Sequence, residues 1–490
     1  SEEITFYIDN NDTSLSIHSP QDGEIVGGYY NISVTSSDTY LNSVKYKIDS
    51  TGWRNMTGTE PNWNKLINTS ELTDGSHMLY VKTTDNSSHV TQQAIEFVVD
   101  NTKPSCSLVS PFPGAYIEGV YNFQVSASDS VGIDRVTLSV FTDTVQTTFN
   151  KQTGYYENAI NTLTVSDGIY QLVATAYDSS GKETKSTMID FRVDNNAPEM
   201  SVNNIQNGDY VNGSFRFNVT VDDAFLKEVH YAVDGGSWVD IDDVWNTGEV
   251  LDGDHKVTFR AKDNAGHTTI QSVDLIVDNN LPVCAVNGPV NGEFIQEAYS
   301  FRLSASDSVG IDRVEIHVFG SNFSAIYSST SGYFEFNSDT SIRKDGNYTC
   351  YAIAHDKSGK INVSESVHFQ VDNNAPVIRI NHPQPESYLE EIEIMDVNAT
   401  DIFLDTVEYN LDGTGWVPIN QSLNTTRFSD GDHTLMVRAK DKAGHMTQQV
   451  LDVTIDNTDP YGAISSPVSG QFLSGSPLFQ IVASDIVGIR

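Results

Sequence analysis

The sequence predicts an all-β protein, built as a tandem array of antiparallel β-sandwiches of two alternating types. Three observations predict this class. Apolar and polar residues alternate with a period of two, clusters of Asp, Gly, Asn and Ser separate the alternating runs, and one phrase recurs along the 490 residues. The run Ser214 to Val221 shows the pattern: Phe215 and Phe217 alternate with Arg216 and Asn218, as expected of a strand with one buried and one wet face.

The recurring phrase has the form V/I-D-N-x-x-P and marks the start of each repeat. Its Asp stands at Asp100, Asp194, Asp278, Asp372 and Asp456, and a first copy without the Pro begins at Ile8. The spacings alternate between 94 and 84 residues, so every second copy lies 178 residues further on. The repeating unit is therefore a pair of unlike domains.

These spacings predict the following domain boundaries. The segments are 1–9 (last strand of a partial domain), 10–100 (short type with an insertion), 101–194 (long type), 195–278 (short), 279–372 (long), 373–456 (short) and 457–490 (partial, long). Long domains share the motif ASDSVGIDRV, at Ala127 to Val136 and Ala305 to Val314. Five to seven alternating runs in each segment of about 90 residues are typical of a sandwich.

Composition excludes several functional classes. With 66 acidic and 28 basic residues the formal charge is −38, which argues against nucleic acid or anionic lipid as a partner, because both attract clustered Lys and Arg. No run approaches the roughly 18 apolar residues of a membrane span, so we expect none in this region. Each segment is used up by strands and short turns, which leaves no loop for a catalytic constellation and predicts a protein that is not an enzyme.

The two ends of the sequence match the interiors of other repeats. Residues 1–9 are similar to 186–194, and residues 483–490 are similar to 127–134. We expect the sequence to be a window on a longer chain. The alternative is that partial domains of neighbouring subunits complete one another by strand donation.

Three motifs resemble a known family. They are D-x-x-x-P at Asp194 to Pro198, A-x-D-x-x-G at Ala127 to Gly132, and the D-G-x-H segment from Asp430 to Gly444. In this combination they resemble the tandem immunoglobulin-like (Big-type) domains of bacterial and archaeal surface proteins. The resemblance implies an immunoglobulin-like sandwich, an extracellular or cell-surface location, and use as a spacer, an adhesin, a filament subunit or an appendage of an enzyme.

The favoured function is a semi-rigid rod that serves as a filament subunit, stalk or surface-layer component, with self-association or neighbouring surface proteins as partners. One alternative is an adhesin that binds glycans through aromatic side chains: Tyr155, Tyr156, Tyr333, Phe334, Trp53, Trp238 and Trp416. Another is the accessory repeat region of a larger secreted enzyme. Each linker has about three residues between its Asp and its Pro, which predicts stiff junctions of two alternating kinds.

Asp-rich turns suggest calcium at the domain junctions. Hard cations take six to eight oxygen ligands, and junction and turn carboxylates can supply them. The predicted ligands are Asp100, Asp129, Asp194, Asp278, Asp307 and Asp372, with the penultimate turns adding further Asp residues. The D-N-N-A-P string is similar to the end of the cadherin linker, although the other acidic cadherin motifs are missing. The alternative is that Asp and Asn form Asx turns and cap strand ends.

Histidines after the D-G pairs have a structural interpretation. His77, His255 and His433 stand where the long repeats have Tyr170 and Tyr348. This exchange predicts a corner residue that ties a loop to the sandwich, like the tyrosine corner of immunoglobulin domains.

Covalent modification is predicted at two kinds of site. Thirteen N-x-S/T sequons favour an exported glycoprotein: Asn11, Asn31, Asn55, Asn68, Asn86, Asn212, Asn218, Asn322, Asn347, Asn362, Asn398, Asn420 and Asn424. Cys350 occupies the position of the second Cys of immunoglobulin domains, and a disulfide with Cys284 is predicted, leaving Cys106 as an unpaired buried thiol.

Overall fold

The computed structural model describes residues 2–489, which form 48 strands and four short 3-10 helices. The chain divides into two compact units. The first comprises Ser1–Ile205, Arg216–Val244 and Lys256–Val273, and the second comprises Gln206–Phe215, Trp245–His255 and Asp274–Arg490. Within the described residues no helix is long and apolar enough to cross a membrane.

The first unit begins with a sandwich of nine strands and one 3-10 helix (Thr69–Glu71). The strands are β1 (Ser14–Ser19), β2 (Ile25–Val26), β3 (Tyr29–Ser37), β4 (Leu41–Ile48), β5 (Arg54–Asn55), β6 (Thr57–Thr59), β7 (Asn62–Asn68), β8 (Gly75–Asp85) and β9 (Val90–Val99). One sheet has the order β1-β3-β7-β6 and the other β2-β9-β8-β4-β5. All pairs are antiparallel except β2 with β9.

A second sandwich of the same plan follows in the first unit, with a 3-10 helix at Thr162–Thr164. Its strands are β10 (Ser105–Ser110), β11 (Tyr116–Ile117), β12 (Val120–Ser128), β13 (Ile133–Val140), β14 (Asp143–Gln146), β15 (Thr148–Asn150), β16 (Tyr155–Asn161), β17 (Gly168–Asp178), β18 (Glu183–Lys185) and β19 (Ile189–Val193). The sheets are β10-β12-β16-β15 and β11-β19-β17-β13-β14, with β18 beside β17.

The third repeat contributes strands to both units. Its strands are β20 (Glu199–Val202), β21 (Tyr210–Val211), β22 (Ser214–Phe215), β23 (Val219–Asp222), β24 (Leu226–Val233), β25 (Val239–Asp240), β26 (Trp245–Asn246), β27 (Gly253–Asp263) and β28 (Thr268–Val277), with a 3-10 helix at Thr247–Glu249. In the first unit β20 pairs with β23, and β24 pairs with β25 and β27. In the second unit β22 pairs with β26, and β21 pairs with the end of β28.

The second unit continues with a further repeat of the longer kind. Its strands are β29 (Val283–Gly288), β30 (Phe294–Ile295), β31 (Ala298–Ser306), β32 (Ile311–Val318), β33 (Ser321–Ser328), β34 (Tyr333–Asp339), β35 (Gly346–Asp356), β36 (Ile361–Val363) and β37 (Val367–Val371). They form one continuous sheet path, β29-β31-β34-β33-β32-β35-β37-β30, because β33 pairs with both β32 and β34.

The second unit ends with a shorter repeat and a two-stranded sheet. The strands are β38 (Val377–His382), β39 (Tyr388–Leu389), β40 (Ile392–Glu393), β41 (Asp396–Thr400), β42 (Leu404–Leu411), β43 (Val417–Pro418), β44 (Leu423–Asn424), β45 (Gly431–Asp441), β46 (Met446–Ile455), β47 (Tyr461–Ser466) and β48 (Gln480–Ser484), with a 3-10 helix at Thr425–Arg427. The main sheet is β39-β46-β45-β42-β43.

This arrangement confirms the predicted fold class. In the first repeat, one sheet has four strands (β1-β3-β7-β6), and the long strands β4, β8 and β9 form the centre of the facing sheet. This is the pattern of immunoglobulin-like sandwiches. Alternation explains the packing: along β12, Phe123 and Val125 are fully buried while Asn122 is exposed. The run Ser214 to Val221 forms two short strands rather than the single strand predicted, β22 and β23, with Phe217 buried in the gap between them.

Candidate functional sites at the repeat junctions

Each linker phrase is fixed to the repeat that precedes it through its Asn. The backbone N–H of Asn101 donates to Oδ1 of Asp74 at 2.7 Å, and its Nδ2 donates to the carbonyl oxygen of Thr69 at 2.8 Å. The same two bonds recur at Asn195, Asn279, Asn373 and Asn457. The chain therefore leaves each repeat in a fixed direction.

The junction at Asp100, which we call a short-to-long junction, joins three carboxylates to one ammonium. Oxygens of Asp100, Asp129 and Asp178 lie within 4.8 Å of one another. Nζ of Lys182 lies 3.2 Å from Oδ1 of Asp100 and donates to its backbone carbonyl at 2.5 Å. Asp100 is fully buried. A lysine of the following repeat thus neutralises the last Asp of the preceding one.

The second short-to-long junction repeats these contacts 178 residues later. Asp278, Asp307 and Asp356 form the cluster. Nζ of Lys360 lies 2.7 Å from Oδ1 of Asp278 and also donates to its backbone carbonyl. Because the contacts recur, the two junctions of this kind are built alike, as predicted.

The junction at Asp194, a long-to-short junction, has no such ammonium among the described residues that it contacts. Ligand atoms of Asp194, Asp263 and His267 lie within 4.8 Å of one another. His267 bonds both its own loop and the preceding repeat: its Nδ1 lies 2.8 Å from Oδ2 of Asp263, and its Nε2 lies 2.6 Å from Oε2 of Glu118. Asp194 is fully buried, and neither of its carboxylate oxygens has a hydrogen-bond partner. A buried carboxylate without hydrogen-bond partners is costly. At the position from which Lys182 pairs with Asp100, this junction has His267.

The same cluster forms at the next long-to-short junction. Asp372, Asp441 and His445 converge, and both oxygens of the buried Asp372 lack partners. His445 again binds its own loop, with Nδ1 at 2.9 Å from Oδ2 of Asp441. A third cluster of this composition is formed by half-buried Asp9 with Asp85 and His89.

Electrostatics set the long-to-short junctions apart. Burial, reinforced by the charges of Asp263 and Asp223, raises the pKa of Asp194 to about 6. Burial and the charges of Asp441 and Asp401 likewise raise the pKa of Asp372 to about 6. Both carboxylates are therefore poised to gain a proton or a cation.

The structure brings each of the six predicted metal-ligand Asp residues into one of these clusters. Oxygen-rich clusters of this kind suit hard cations such as calcium; occupation by a metal stays a prediction. Sequence reasoning missed the roles of Lys182, Lys360, His267 and His445. The signal was present, since the loop after β17 reads D-S-S-G-K where the loop after β27 reads D-N-A-G-H.

Aromatic pairs also mark the long-to-short junctions. The rings of Tyr116 and Phe225 meet edge to face with their centroids 5.3 Å apart. Phe294 and Phe403 repeat the pair at 5.1 Å. These contacts join the end of one repeat to the start of the next and were not predicted.

The corner residues are confirmed as loop ties. Nε2 of His77 lies 2.7 Å from the carbonyl oxygen of Thr73, four residues before it. His255 and His433 make the same contact at 2.6 Å. Tyr170 and Tyr348 make it with their hydroxyls at 2.7 and 2.8 Å.

The predicted disulfide is not formed, because all three cysteines are free. Sγ of Cys284 lies 3.6 Å from the carbonyl oxygen of Ala352, two residues beyond Cys350 on β35. The Cys284 side chain therefore lies beside the backbone of Ala352. Burial raises the pKa of Cys350 to about 12. Cys106 is free as predicted but only half-buried.

Most sequon asparagines are accessible. Asn68 and Asn362 are half-buried and the other eleven are exposed. Asn68 and Asn424 cap 3-10 helices, accepting hydrogen bonds from Ser70 and Thr426 through Oδ1. The atom that carries an N-glycan is Nδ2, so these caps leave it free for modification.

The aromatic residues of the glycan-binding alternative are engaged within their own repeats. Tyr156 and Phe334 pack against hydrophobic cores. A cation stacks over each of the three tryptophans, with Lys82 at 4.4 Å from the ring centroid of Trp53; Arg260 and Arg438 cover Trp238 and Trp416. These contacts favour the interpretation that the tryptophans cover the sandwich edge.

The fold and the junctions define a chain of tandem immunoglobulin-like repeats. Residues 104–174 and 282–352, one segment in each longer repeat, match the bacterial Ig domain family. Among curated protein sequences, none matches this chain.

Several solved structures are similar to parts of the chain. A tetra-tandem repeat from the extending region of a large adhesion protein is 18% identical, covering 74% of this chain and 100% of that chain with a TM-score of 0.32. A Ca2+-stabilised adhesin with which an Antarctic bacterium binds ice is 15% identical (74% and 100%, TM-score 0.27). Fibronectin(III)-like modules of CbhA from Clostridium thermocellum are 21% identical (37% and 93%, TM-score 0.25).

Proposed function

We propose that the chain is a non-enzymatic structural part of a cell-surface or extracellular protein, in which alternating immunoglobulin-like repeats act as a semi-rigid spacer. Use as a stalk, a filament subunit or a surface-layer component fits this role. The observation that carries the proposal is the tied linker. At Asn101, Asn195, Asn279, Asn373 and Asn457 the backbone N–H is held by the D-G Asp, and the side chain donates to the carbonyl oxygen of a Thr that precedes this Asp.

Contacts across the junctions restrict bending between neighbouring repeats. Lys182 reaches from one repeat to the last Asp of the preceding one, and Ser130 donates to Asp74 across the same junction at 3.3 Å. Tyr116 and Phe225 meet across the other kind of junction. A spacer needs such ties because a linker that hinges freely would not hold its ends apart.

Surface chemistry supports an exported location. Eleven of thirteen sequon asparagines are exposed, as glycan acceptors must be. Neighbouring surface proteins, copies of the same chain and glycans remain the proposed partners, and calcium is the proposed cofactor of the junctions.

Small-angle scattering of the isolated chain in calcium tests the spacer. A compact chain of 490 residues has a radius of gyration of about 23 Å. We expect at least twice this value. A radius near the compact value contradicts the spacer, whatever the chain binds.

A further inference from the structure

One position in each repeat decides how the junction before it is neutralised. It is the fourth residue after the Asp that ends the penultimate long strand. This residue is His in the short repeats (His89, His267, His445) and Lys in the long ones (Lys182, Lys360). Its backbone is the same in both: the N–H of Lys182 donates to Oδ1 of Asp178 at 2.9 Å, and that of His267 to Oδ1 of Asp263 at 2.8 Å.

The lysine side chain reaches the linker Asp of the preceding repeat, and the histidine side chain does not pair with that Asp. A lysine carries its ammonium on four methylene groups, which lets Lys182 contact Asp100. The shorter imidazole of His267 instead bonds Asp263 in its own loop and Glu118 of the preceding repeat. The two oxygens of Asp194 consequently lack the partner that Asp100 has.

We propose that the long-to-short junctions are divalent-cation sites, in which a hard cation bridges Asp194 and Asp263, and in the second copy Asp372 and Asp441, while the lysine ammonium replaces that cation at the short-to-long junctions. Cation dependence is thereby confined to every second junction. The buried carboxylates of Asp194 and Asp372 carry the proposal. Both oxygens of each lack hydrogen-bond partners among the described residues, and each lies in a cluster that holds a second carboxylate within 4.8 Å. Asp278 also lacks hydrogen bonds to its carboxylate, but it has the ammonium of Lys360 at 2.7 Å.

The donors fit a hard cation. Asp194 offers two free oxygens, and Asp263 is held rigidly by N–H donors from Gly266 and His267 at 2.6 and 2.8 Å. Asp223 lies near enough to interact electrostatically with Asp194. Calcium completes its six to eight ligands with carbonyl oxygens and water, so a pair or trio of carboxylates is a sufficient protein contribution.

A competing occupant is the positive charge of His267 itself. A protonated imidazole beside Asp263 and Glu118 would offset part of the local negative charge without any metal. The two alternatives differ in their prediction for added calcium. If the imidazolium of His267 already neutralises the cluster, added calcium should not bind there.

Calorimetric titration of calcium chloride into the chelator-treated full chain separates them. The test variant is Asp194→Asn with Asp372→Asn, and the matched control is Asp129→Asn with Asp307→Asn. Asn keeps the acceptor through which Asp129 holds the N–H of Val131 at 2.8 Å, so the control turn is preserved. We expect the number of bound calcium ions to fall by two in the test variant and to stay unchanged in the control.

Thermal unfolding in chelator checks that the test variant is folded. Replacing Asp194 removes an unpaired buried charge, so the test variant should unfold no earlier than the parent chain, and calcium should raise the unfolding temperature of the parent more. The inference is overturned if the parent binds no calcium, or if the control loses as many sites as the test variant. Neither outcome bears on the scattering test, so the cation sites and the spacer can fail separately.

Discussion

The junctions at Asp100 and Asp194 have the same backbone arrangement but a different balance of charged groups. In both, the linker Asp is fully buried next to an Asp that is fixed in a tight loop. The loop residue four positions later is Lys182 in one and His267 in the other. One junction carries its own cation, and the other presents a free carboxylate.

The difference shows how a repeat array can alternate two kinds of joint without changing its fold. A buried carboxylate must be paired, protonated or bound to a metal. The lysine pairs it with an ammonium that belongs to the chain itself. The histidine leaves the choice to solution conditions, so calcium and pH should act on every second joint.

The largest effect is expected from removing the lysine. Lys182→Met with Lys360→Met leaves Asp100 and Asp278 buried without a counterion. Removing one partner of a buried ion pair lowers the free energy of unfolding by about 3 kcal/mol at the low end of the usual range. We expect this lower value because the Lys182 side chain is about a quarter exposed. Denaturant unfolding of the full chain should show a matching loss in the repeats that flank these junctions.

Lys185→Met is the control for that variant. Lys185 is exposed on β18, three residues from Lys182. Its replacement should change stability by less than about 0.5 kcal/mol. Equal losses in the two variants would show that the Lys182 contact contributes nothing specific to the junction.

The fold and the position of the junction clusters could be predicted because they follow from local patterns. Strand alternation, the 178-residue period and the D-G-x-H corner each depend on residues a few positions apart. The contact from His77 to Thr73 spans four residues and was predicted correctly.

What could not be predicted depends on side-chain reach and register between distant segments. Lys182 and Asp100 are 82 residues apart, and no local pattern shows that an ammonium ends beside that carboxylate. The Cys284 prediction failed for the same reason: it required Cys284 on β29 to face Cys350 on β35, and the Cys284 side chain instead lies beside the carbonyl oxygen of Ala352.

Exchanging the deciding residue should convert one joint into the other. His267→Lys with His445→Lys supplies an ammonium to Asp194 and Asp372. In chelator at pH 7 we expect a gain of about 1–2 kcal/mol, because relieving a pKa shift of about two units is worth at most about 3 kcal/mol. The calcium-dependent rise in unfolding temperature should disappear from these junctions. His255→Lys, at a corner away from the cluster, should produce no such gain.

The smallest effect is the pH dependence of the long-to-short junctions. The folded pKa of Asp194, about 6, lies above the ordinary 3.8, so its contribution to stability is fully present below about pH 4 and is lost as the pH rises through 6. Asp263, Asp223, Asp167 and His267 act on the same carboxylate. The raised pKa of His267 adds stability in the same direction as the pH falls.

Comparing the parent with Asp194→Asn plus Asp372→Asn isolates the aspartates, because the neighbouring groups are common to both chains. In chelator at pH 7.5 the variant should unfold at the higher temperature, since Asn is neutral where Asp is charged. At pH 5 protonated Asp is neutral as well, and the two unfolding temperatures should converge. A difference that stays constant between pH 7.5 and pH 5 would mean that Asp194 and Asp372 do not titrate in this range and already have a partner, which would remove the contrast between the two kinds of junction.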